Sequence, residues 1–351
     1  MTSLSDVAAL AGVSVATASR VLALSSHPVA PSTRQRVLDA SNALDFEPNL
    51  LARGLVGQRT QTVGVLVHDV MDEYFSEIAR GIEDEAYAHG YVVFICNSDR
   101  DPVKELHYLR KLRAMRVDAI MFTAGGINDP EHQREAQRQV GQIESAGGVI
   151  VRLAPHPNQR PDVGYSNTKG LRLAVDHLHE LGHRTIGFLS GPPQLATSTE
   201  RLAAFRRALR NHHLGPDAAL VFDGDFTRPG GERAACEFVA AGLPATGVVG
   251  ANDQMVIGFV RGLRTAGVTV PDDVSVVGYD DVAPCILVEP PITTVHVPLY
   301  ELGTRGMRLA LDLLAGAPRP RRKELPLTLV VRATTGPPRT RQSSIARRTS
   351  P

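Results

Sequence analysis

From residue 61 to residue 335, short runs of apolar and β-branched residues alternate with longer amphipathic stretches. Each run is brief and almost entirely apolar, which is typical of a parallel strand that is buried on both faces. The predicted strands cover residues 62–67, 91–96, 118–122, 148–153, 185–189, 219–222, 247–250 and 275–278. The predicted helices include residues 74–89, 104–116, 168–181, 199–211, 230–241 and 253–266. Gly90, Gly182 and Gly267 follow three of these helices, where a left-handed residue is favoured.

This alternation of strands and helices predicts doubly wound α/β sheets. The number of strands is large for one open sheet, so two such domains fit the chain better. Open α/β sheets bind ligands beyond the carboxyl ends of their strands. Polar residues stand at these ends: His68-Asp69, Asn97-Ser98-Asp99, Thr123, Asn252-Asp253 and Asp280-Asp281. From position alone, both ligand contact and simple turn formation stay open for them.

Residues 3–22 carry a different pattern, two short amphipathic helices joined by a turn. Ser3 begins a potential capping box, Gly12 permits a tight turn, and Ser14 can cap the second helix. A third helix is predicted over residues 31–44, where a proline occupies the first helical position. The arrangement is that of a helix-turn-helix, although a generic α-hairpin has the same spacing.

Charge is distributed unevenly along the chain. The 38 Lys and Arg against 37 Asp and Glu give a formal net charge of +1, which by itself argues against a nucleic-acid binder. Divided by segment, the net charge is +1 for residues 1–60, −4 for residues 61–335 and +4 for residues 336–351. The last segment is rich in Pro, Ser, Thr and Arg, which predicts a disordered basic tail. Overall charge therefore does not exclude DNA binding.

Composition and motifs exclude several classes of protein. No run of about 20 apolar residues predicts a membrane span, and the N-terminus lacks the regions of a signal peptide. The widely spaced Cys96, Cys236 and Cys285 fit reduced thiols rather than disulfides or a zinc site. The sequence has no Walker A loop, GxSxG elbow or HExxH motif. We therefore expect a cytoplasmic protein that is not an enzyme, with no catalytic residue, no cofactor and no metal.

The chain resembles the LacI/GalR family of bacterial transcription regulators over almost its whole length. The resemblance is carried by Asp6-Val7-Ala8, Ala11-Gly12-Val13-Ser14, Ser19-Arg20-Val21-Leu22, Phe46-Glu47-Pro48-Asn49, Asp176-His177-Leu178, Ala251-Asn252-Asp253-Gln254 and Val276-Val277-Gly278-Tyr279-Asp280-Asp281. One such motif would be weak, but the ordered set is specific. Only residues 336–351 fall outside it.

This resemblance implies a three-helix helix-turn-helix head over residues 1–47 and a hinge helix over residues 48–60. It also implies an effector-binding core of two Rossmann-like subdomains, of the periplasmic-binding-protein type, over residues 61–335. One subdomain would comprise residues 61–164 and 295–324, and the other residues 165–294 and 325–335. The implied protein is a homodimer that binds palindromic double-stranded operator DNA and acts as a repressor. A small effector, such as a sugar or a related metabolite, would switch its DNA affinity.

The family's second helix enters the major groove of DNA. Val15 and Ala16 match the main base-reading positions, and as apolar residues they could contact thymine methyl groups. Arg20 matches the next position, where it could pair with guanine or instead contact a phosphate. The neighbouring positions suited to phosphate contacts or capping are Ser14, Thr17 and Ser19.

The family's hinge helix binds the minor groove. Leu55 matches the leucine that wedges into the central base step, and Ala52 is small, as close approach of two hinges requires. Asn49 and Arg53 complete the hinge positions implied to contact DNA. Gly54 departs from the polar residue usual in the family and makes hinge folding less favourable, by about 1 kcal/mol. A plain flexible linker is the alternative reading of this segment.

In the core, the resemblance implies an effector pocket lined by five residues. Asp280 would accept hydroxyl hydrogen bonds, Arg201 would donate a bidentate pair, and Asn252 would add a polar contact. Tyr74 and Phe75 would place rings against the effector, and packing at a helix start is the alternative for both, more so for Phe75. Asp281, Asp253 and His183 are expected to be structural.

Two departures concern the effector. Ala154 stands where the family usually has an aspartate, and the adjacent strand carries an unusual arginine, Arg152. This arginine could face the cleft and favour a more acidic ligand, or it could face solvent.

The family's tetramers carry a C-terminal leucine heptad, and no such repeat follows Thr335 in this sequence. The resemblance therefore implies a dimer rather than a tetramer. A solute-binding protein of a transporter and an enzyme are alternatives that the head and the lack of catalytic motifs oppose.

Overall fold

The computed structural model describes residues 2–22, 28–46, 59–157, 159–215, 219–320 and 323–339 of the chain. The first part is a head of three helices, α1 at Leu4–Ala11, α2 at Val15–Leu22 and α3 at Pro31–Ala43. Helices α1 and α2 are bent by 103° relative to each other, as in a helix-turn-helix. No single helix in the described residues is long and apolar enough to cross a membrane.

Local chemistry fixes the boundaries of these helices as the sequence predicts. Ser3 forms the capping box, since its backbone N–H donates to the Asp6 carboxylate at 2.8 Å and its hydroxyl accepts from the Asp6 N–H at 3.3 Å. Gly12 ends α1 with φ = +65°, in the left-handed region that suits glycine. The Ser14 hydroxyl accepts from the Thr17 N–H at 3.1 Å and so caps α2.

A four-stranded parallel sheet forms the first half of the core. Its strands are β1 at Thr62–Val67, β2 at Val92–Asn97, β3 at Ala119–Phe122 and β4 at Val149–Arg152. Their order is β2-β1-β3-β4. Every residue of β1 and β3 is buried, which explains their continuous apolar composition. A two-residue strand, β5 at Val163–Gly164, lies outside this sheet.

A six-stranded sheet forms the other half of the core. It contains β6 at Ile186–Ser190, β7 at Ala219–Asp223, β8 at Gly247–Gly250, β9 at Ser275–Asp280, β10 at Thr293–His296 and β12 at Thr328–Val330. The order is β12-β10-β9-β8-β6-β7, and β12 alone runs antiparallel to its neighbour. The short β11 at Lys323–Glu324 pairs with β5.

Helices connect the strands in both halves. They are α4 at Glu73–Ala88, α5 at Pro102–Ala114, α6 at Pro130–Ser145, α7 at Asn167–Glu180, α8 at Ala196–Asn211, α9 at Arg228–Ala240, α10 at Asp253–Thr265 and α11 at Leu299–Leu314, with a 3₁₀ turn at Ala283–Ile286. Gly90, Gly182 and Gly267 have φ values of +73°, +105° and +74°, which confirms their predicted left-handed conformation.

The two sheets confirm the predicted doubly wound α/β core. The eight predicted strands all form, with ends shifted by at most two residues, whereas β5, β10, β11 and β12 were not predicted. The subdomain boundaries stay a prediction, but β10 belongs to the six-stranded sheet as far as His296, two residues beyond the proposed boundary at residue 294.

The prediction of a disordered tail from residue 336 is wrong for its first residues. The Gly336 carbonyl accepts from His183 Nε2 at 2.9 Å and from the Ser275 hydroxyl at 3.0 Å. Arg339 donates to the Leu243 carbonyl at 2.5 Å. Backbone groups of residue 336 thus complete a buried hydrogen-bond network, which composition alone does not reveal. Residues 340–351 lie outside the described part of the chain.

Candidate effector cavity and DNA-reading head

A cavity lies between the two sheets, at the carboxyl ends of their strands, and its empty space, including the part open to solvent, is about 440 Å³. All five residues implied by the sequence line it: Tyr74, Phe75, Arg201, Asn252 and Asp280. The strand-end positions His68 and Thr123 also line it. Further lining residues, which sequence reasoning missed, are Asp72, Arg100, Ala124, Gly125, Leu195, Thr197 and Phe226.

Arg201 and Asp280 form the buried polar centre of the cavity. They are 2% and 3% exposed, and the guanidinium donates to the Asp280 carboxylate at 3.0 Å. Arg201 also donates to the Asn167 side chain at 3.1 Å, to the Tyr165 hydroxyl at 3.0 Å and to the Ala251 carbonyl. Because four protein acceptors hold the guanidinium, most of its donor capacity is already used within the protein, and one of the four bonds fixes the position of Asp280.

Burial controls the ionisation of this pair. Burial raises the pKa of Asp280 well above its usual value, and the nearby Arg201 guanidinium works against that rise. Burial alone would lower the pKa of Arg201, but the Asp280 carboxylate and neighbouring tyrosines raise it, so the guanidinium stays charged. The Arg201 guanidinium also stacks 4.1 Å from the centre of the Tyr279 ring.

The loop that presents Asp280 is strained and firmly braced. Asp280 and Asp281 have φ values of 112° and 63°, in a region that residues other than glycine rarely adopt. Asp281 accepts from Arg332 at 2.6 Å and from His296 at 3.1 Å. Asp253 accepts from the Val282 N–H at 3.0 Å and from the Thr294 hydroxyl on β10 at 2.7 Å. The predicted bracing roles of Asp253 and Asp281 are therefore confirmed.

Asn252 contacts the protein at both ends of its amide. Its oxygen accepts from the Met255 N–H at 3.1 Å and caps α10, and its nitrogen donates to the Phe226 carbonyl at 3.2 Å. The residue lines the cavity, but in this arrangement its main role is to join two loops of the second half of the core.

Aromatic rings form one side of the cavity. Phe75 and Phe226 are 6% and 8% exposed. The Tyr74 and Phe75 rings lie edge to face at 4.9 Å, and the Tyr74 hydroxyl lies 3.2 Å from that of Tyr165. Phe226 lies beyond strand β7 with φ = +65° and carries no sequence signal of its own. The rings can cover an apolar or flat face of a ligand.

Contacts across the cleft hold the two halves of the core together. Arg228 on α9 donates to Glu73 at 3.0 Å and to the Gln254 oxygen at 2.6 Å. Gln254 in turn donates to Asp72 at 3.4 Å and to Glu73. Loop backbones also meet, since the Ala196 N–H donates to the carbonyl of residue 126 at 2.9 Å. The structure therefore represents a closed arrangement of the cleft.

The effector cavity is not lined by His183, Ala154 or Arg152, the other core residues that the sequence singles out. His183 is fully buried and hydrogen-bonds Thr246 at 2.9 Å and Gly336, which confirms its structural role. Ala154 is buried and does not line the 440 Å³ cavity. Arg152 does not line this cavity. It borders a second cavity, where its guanidinium lies 5.7 Å from the centre of the Phe122 ring. Arg152 therefore does not explain the ligand preference of the first cavity.

The exposed face of α2 matches the predicted DNA-reading positions. Ser14, Val15, Ala16 and Arg20 are exposed, with 46% of the Val15 side chain accessible. The half-buried positions on this helix are Thr17 and Ser19. The opposite face buries Ala18 and Val21 in the head's own core. The predicted hinge residues Asn49, Ala52, Arg53 and Leu55 lie outside the described residues.

Comparisons with known proteins agree with this geometry. Residues 3–49 match the model of the bacterial regulatory proteins of the lacI family, and residues 175–335 match a periplasmic binding protein-like domain. Catabolite control protein A of Priestia megaterium is 33% identical over 306 residues, covering 87% of this chain and 90% of that protein. The HTH-type transcriptional repressor PurR of Aliivibrio salmonicida is 31% identical over 312 residues, 89% of this chain and 92% of its own length.

Two solved structures are similar over nearly the whole chain. The lac repressor dimer bound to operator and the anti-inducer ONPF has a TM-score of 0.79 and 30% identity, covering 95% of this chain and 99% of that one. The complex of the transcriptional regulator CelR with cellobiose has a TM-score of 0.69 and 30% identity, covering 95% and 100%. These relatives and structures are transcription regulators and not enzymes.

Proposed function

Since the chain belongs to the LacI family of transcription regulators, we propose that it is a cytoplasmic, homodimeric repressor that a small polyhydroxylated effector switches. The observation that carries the proposal is that one chain contains both the cavity around Asp280 and Arg201 and an exposed helix suited to read DNA. The lac repressor dimer on its operator and the cellobiose complex of CelR support both halves of it.

The proposed reading surface is the exposed face of α2. Arg20 would pair with a guanine edge in the major groove, while Val15 and Ala16 would contact thymine methyl groups. Replacing Arg20 by Ala should therefore cost about 1–3 kcal/mol at one base position and relax the sequence preference there. Binding to a randomised DNA library measures this directly. Arg210→Ala, at an exposed position on α8, is the matched control and should leave the preference unchanged.

The proposed effector contacts follow from the polar centre of the cavity. Asp280 is fixed by Arg201, so its carboxylate can accept hydroxyl hydrogen bonds from a ligand without reorganising. The Phe75 and Phe226 rings can then cover the ligand's less polar face. An Asp280→Asn variant should weaken ligand binding at least tenfold while DNA binding without ligand is retained, which titration calorimetry and gel-shift assays can establish.

A flat heteroaromatic effector is a second candidate, which the aromatic side of the cavity favours. Tyr74, Phe75 and Phe226 would hold a planar ring as well as a sugar face. A thermal-shift screen that includes both free sugars and purine bases separates the two. If only purine bases raise the melting temperature of the protein, the effector is a heteroaromatic base and not a polyhydroxylated molecule.

The proposed switch is a change in cleft closure. A ligand that contacts both halves of the core binds the closed form better, and this difference in affinity shifts the closure equilibrium. In a dimer, closure would change the separation of the two hinge segments and hence the affinity for operator DNA. Specific binding of the purified protein to its promoter region, altered by an effector, supports the proposal. No specific DNA binding under any ligand condition would contradict it, and sedimentation tests the dimer.

A further inference from the structure

The charged groups that line the effector cavity are not all held by hydrogen bonds to described residues of the protein. Four charged side chains line it: Asp72, Arg100, Arg201 and Asp280. Arg201 and Asp280 neutralise each other at 3.0 Å. Asp72 caps α4 by accepting from the Tyr74 N–H at 3.1 Å, and it also accepts from Gln254. The Arg100 charge favours ionisation of the nearby Asp72 carboxyl and opposes the rise in its pKa that burial causes, but no hydrogen bond or ion pair joins these two side chains.

Arg100 stands in the loop after β2, with φ = +60°, and its side chain is half-buried. Among the described residues, none forms a hydrogen bond or an ion pair with its guanidinium, and its Nε atom is buried without an acceptor. Burying a cation away from water is costly unless an anion or acceptor compensates it. A guanidinium that borders a ligand cavity in this way is suited to bind an oxyanion in a two-pronged manner.

His68 provides a second unused group at the same end of the cavity. It is 4% exposed, and its Nε2 atom is buried without a partner. Burial lowers the pKa of His68 to about 3, with a smaller contribution from Arg100, so the ring is neutral at physiological pH. A neutral imidazole can donate one hydrogen bond from Nε2 to an oxyanion without adding charge. Its ring is held edge to face against Phe75, 5.6 Å away.

These two groups and Asp280 lie on opposite halves of the core. His68 follows β1 and Arg100 follows β2, both in the four-stranded sheet, whereas Asp280 ends β9 in the six-stranded sheet. A ligand that spans the cavity therefore meets free donors on one side and a carboxylate acceptor on the other. The free donors on the first side favour acceptor oxygens and negative charge, although the Asp72 carboxylate, already hydrogen-bonded to the Tyr74 N–H and Gln254, also lies there. The second side selects hydroxyl donors.

We propose that the effector is a hydroxylated acid, whose oxyanion pairs with Arg100 and accepts a hydrogen bond from His68 while its hydroxyl groups bind Asp280. The oxyanion is the carboxylate of a sugar acid or the phosphate of a sugar phosphate. The inference rests on the proposed function of the cavity and narrows its ligand class. The same arrangement favours closure, because such a ligand contacts both halves of the core and neutralises a half-buried cation.

The test compares matched neutral and anionic probes on the full-length protein. The probes are glucose, glucuronate, glucose 6-phosphate and inorganic phosphate alone, measured by titration calorimetry and thermal shift. We expect at least one anionic sugar to bind tenfold or more tightly than glucose, and the carboxylate and phosphate arms to identify the source of the charge. We expect inorganic phosphate alone to raise the melting temperature at millimolar concentration.

Two variants localise the effect. Arg100→Gln should abolish both the preference for the anionic sugar and the stabilisation by phosphate, whereas Arg206→Gln, at an exposed position on α8, should change neither. Circular dichroism and operator binding of Arg100→Gln verify that it is folded. Equal binding of neutral and anionic probes, no stabilisation by any anion, or an anion preference that survives Arg100→Gln overturns the inference.

The outcome for the proposed function is separate. Release of operator DNA by a neutral sugar, with no response to anions, refutes the hydroxylated acid but leaves the ligand-switched regulator intact. Absence of specific DNA binding refutes the regulator itself, whatever the probes do.

Discussion

Replacing Arg201 by Met removes the cation that fixes Asp280 while keeping an unbranched side chain in its place. The guanidinium is 2% exposed and donates to Asp280, Asn167, Tyr165 and the Ala251 carbonyl. Each of these acceptors is left without that donor in the variant. The variant therefore tests how far the fold of the core depends on the polar centre of the effector cavity.

The expected loss follows from the burial of the pair. Removing one partner of a buried ion pair costs about 3–5 kcal/mol, because the other charge remains desolvated. In the variant, burial raises the pKa of Asp280 with no guanidinium to oppose it. The folded protein then binds this proton at a higher pH than the unfolded chain does, so stability falls as pH rises. The loss relative to wild type should be larger near pH 8 than near pH 5, by up to about 1.4 kcal/mol per pH unit.

Urea unfolding followed by far-ultraviolet circular dichroism measures this, since the chain has no tryptophan to serve as a fluorescent probe. The double variant Arg201→Met with Asp280→Asn should lose at least 1 kcal/mol less than the sum of the two single variants, on the order expected for groups in direct contact. Arg206→Met, exposed on the same helix, should change stability by less than about 0.5 kcal/mol. Additive losses, or a loss that does not vary with pH, would refute the assignment of a coupled ion pair.

Three further predictions concern stability. Burial lowers the pKa of His68 to about 3 and of His156 to about 4, so the unfolded chain binds more protons than the folded protein below about pH 6.5. The two histidines together should therefore lower the free energy of unfolding by about 4 kcal/mol between pH 7 and pH 5. Urea unfolding at each pH should show that His156→Gln removes half of this fall. Gly258→Ala would place its Cβ 1.9 Å from a carbonyl of α9 and should cost about 3 kcal/mol, whereas Gly141→Ala, with no atom within 4 Å, should gain about 0.5–1 kcal/mol; equal melting temperatures would contradict this. Ser3→Ala removes the capping box and should cost the head about 1 kcal/mol, seen as faster amide exchange in α1 with no change in the core.

The fold could be predicted where local pattern and tertiary role coincide. Strand β1 is apolar throughout and buried throughout, so its six residues were predicted without error. Strand β10 was missed because Thr293-Thr294-Val295-His296 is short and three of its four residues are polar. Its two hydroxyl groups are bonded by distant partners, that of Thr293 by Thr335 and that of Thr294 by Asp253. Backbone contacts of Gly336 were missed for the same reason. Such segments are strands or braces only because the rest of the core surrounds them.

The effector cavity was predictable as a set of residues but not as a set of bonds. The family resemblance supplied Arg201 and Asp280, and polar residues at strand ends indicated His68. Nothing in the sequence shows that Arg201 is held by Asn167, or that the Asn252 amide is used to join two loops. Those facts depend on where distant segments meet, and they decide which donors are free for a ligand.

The distribution of charge limits how this protein can bind DNA. The described residues of the head contain three arginines and three aspartates, a net charge of zero, so one head provides little general attraction for phosphates. Within the head, backbone N–H groups at helix starts and the few exposed side chains of α2 then supply most of the contact. A weakly attractive head binds tightly only when a second head engages at the same time, because the second contact is intramolecular. A regulator of this kind is especially sensitive to the separation of its heads, and closure of the effector cavity is suited to change that separation.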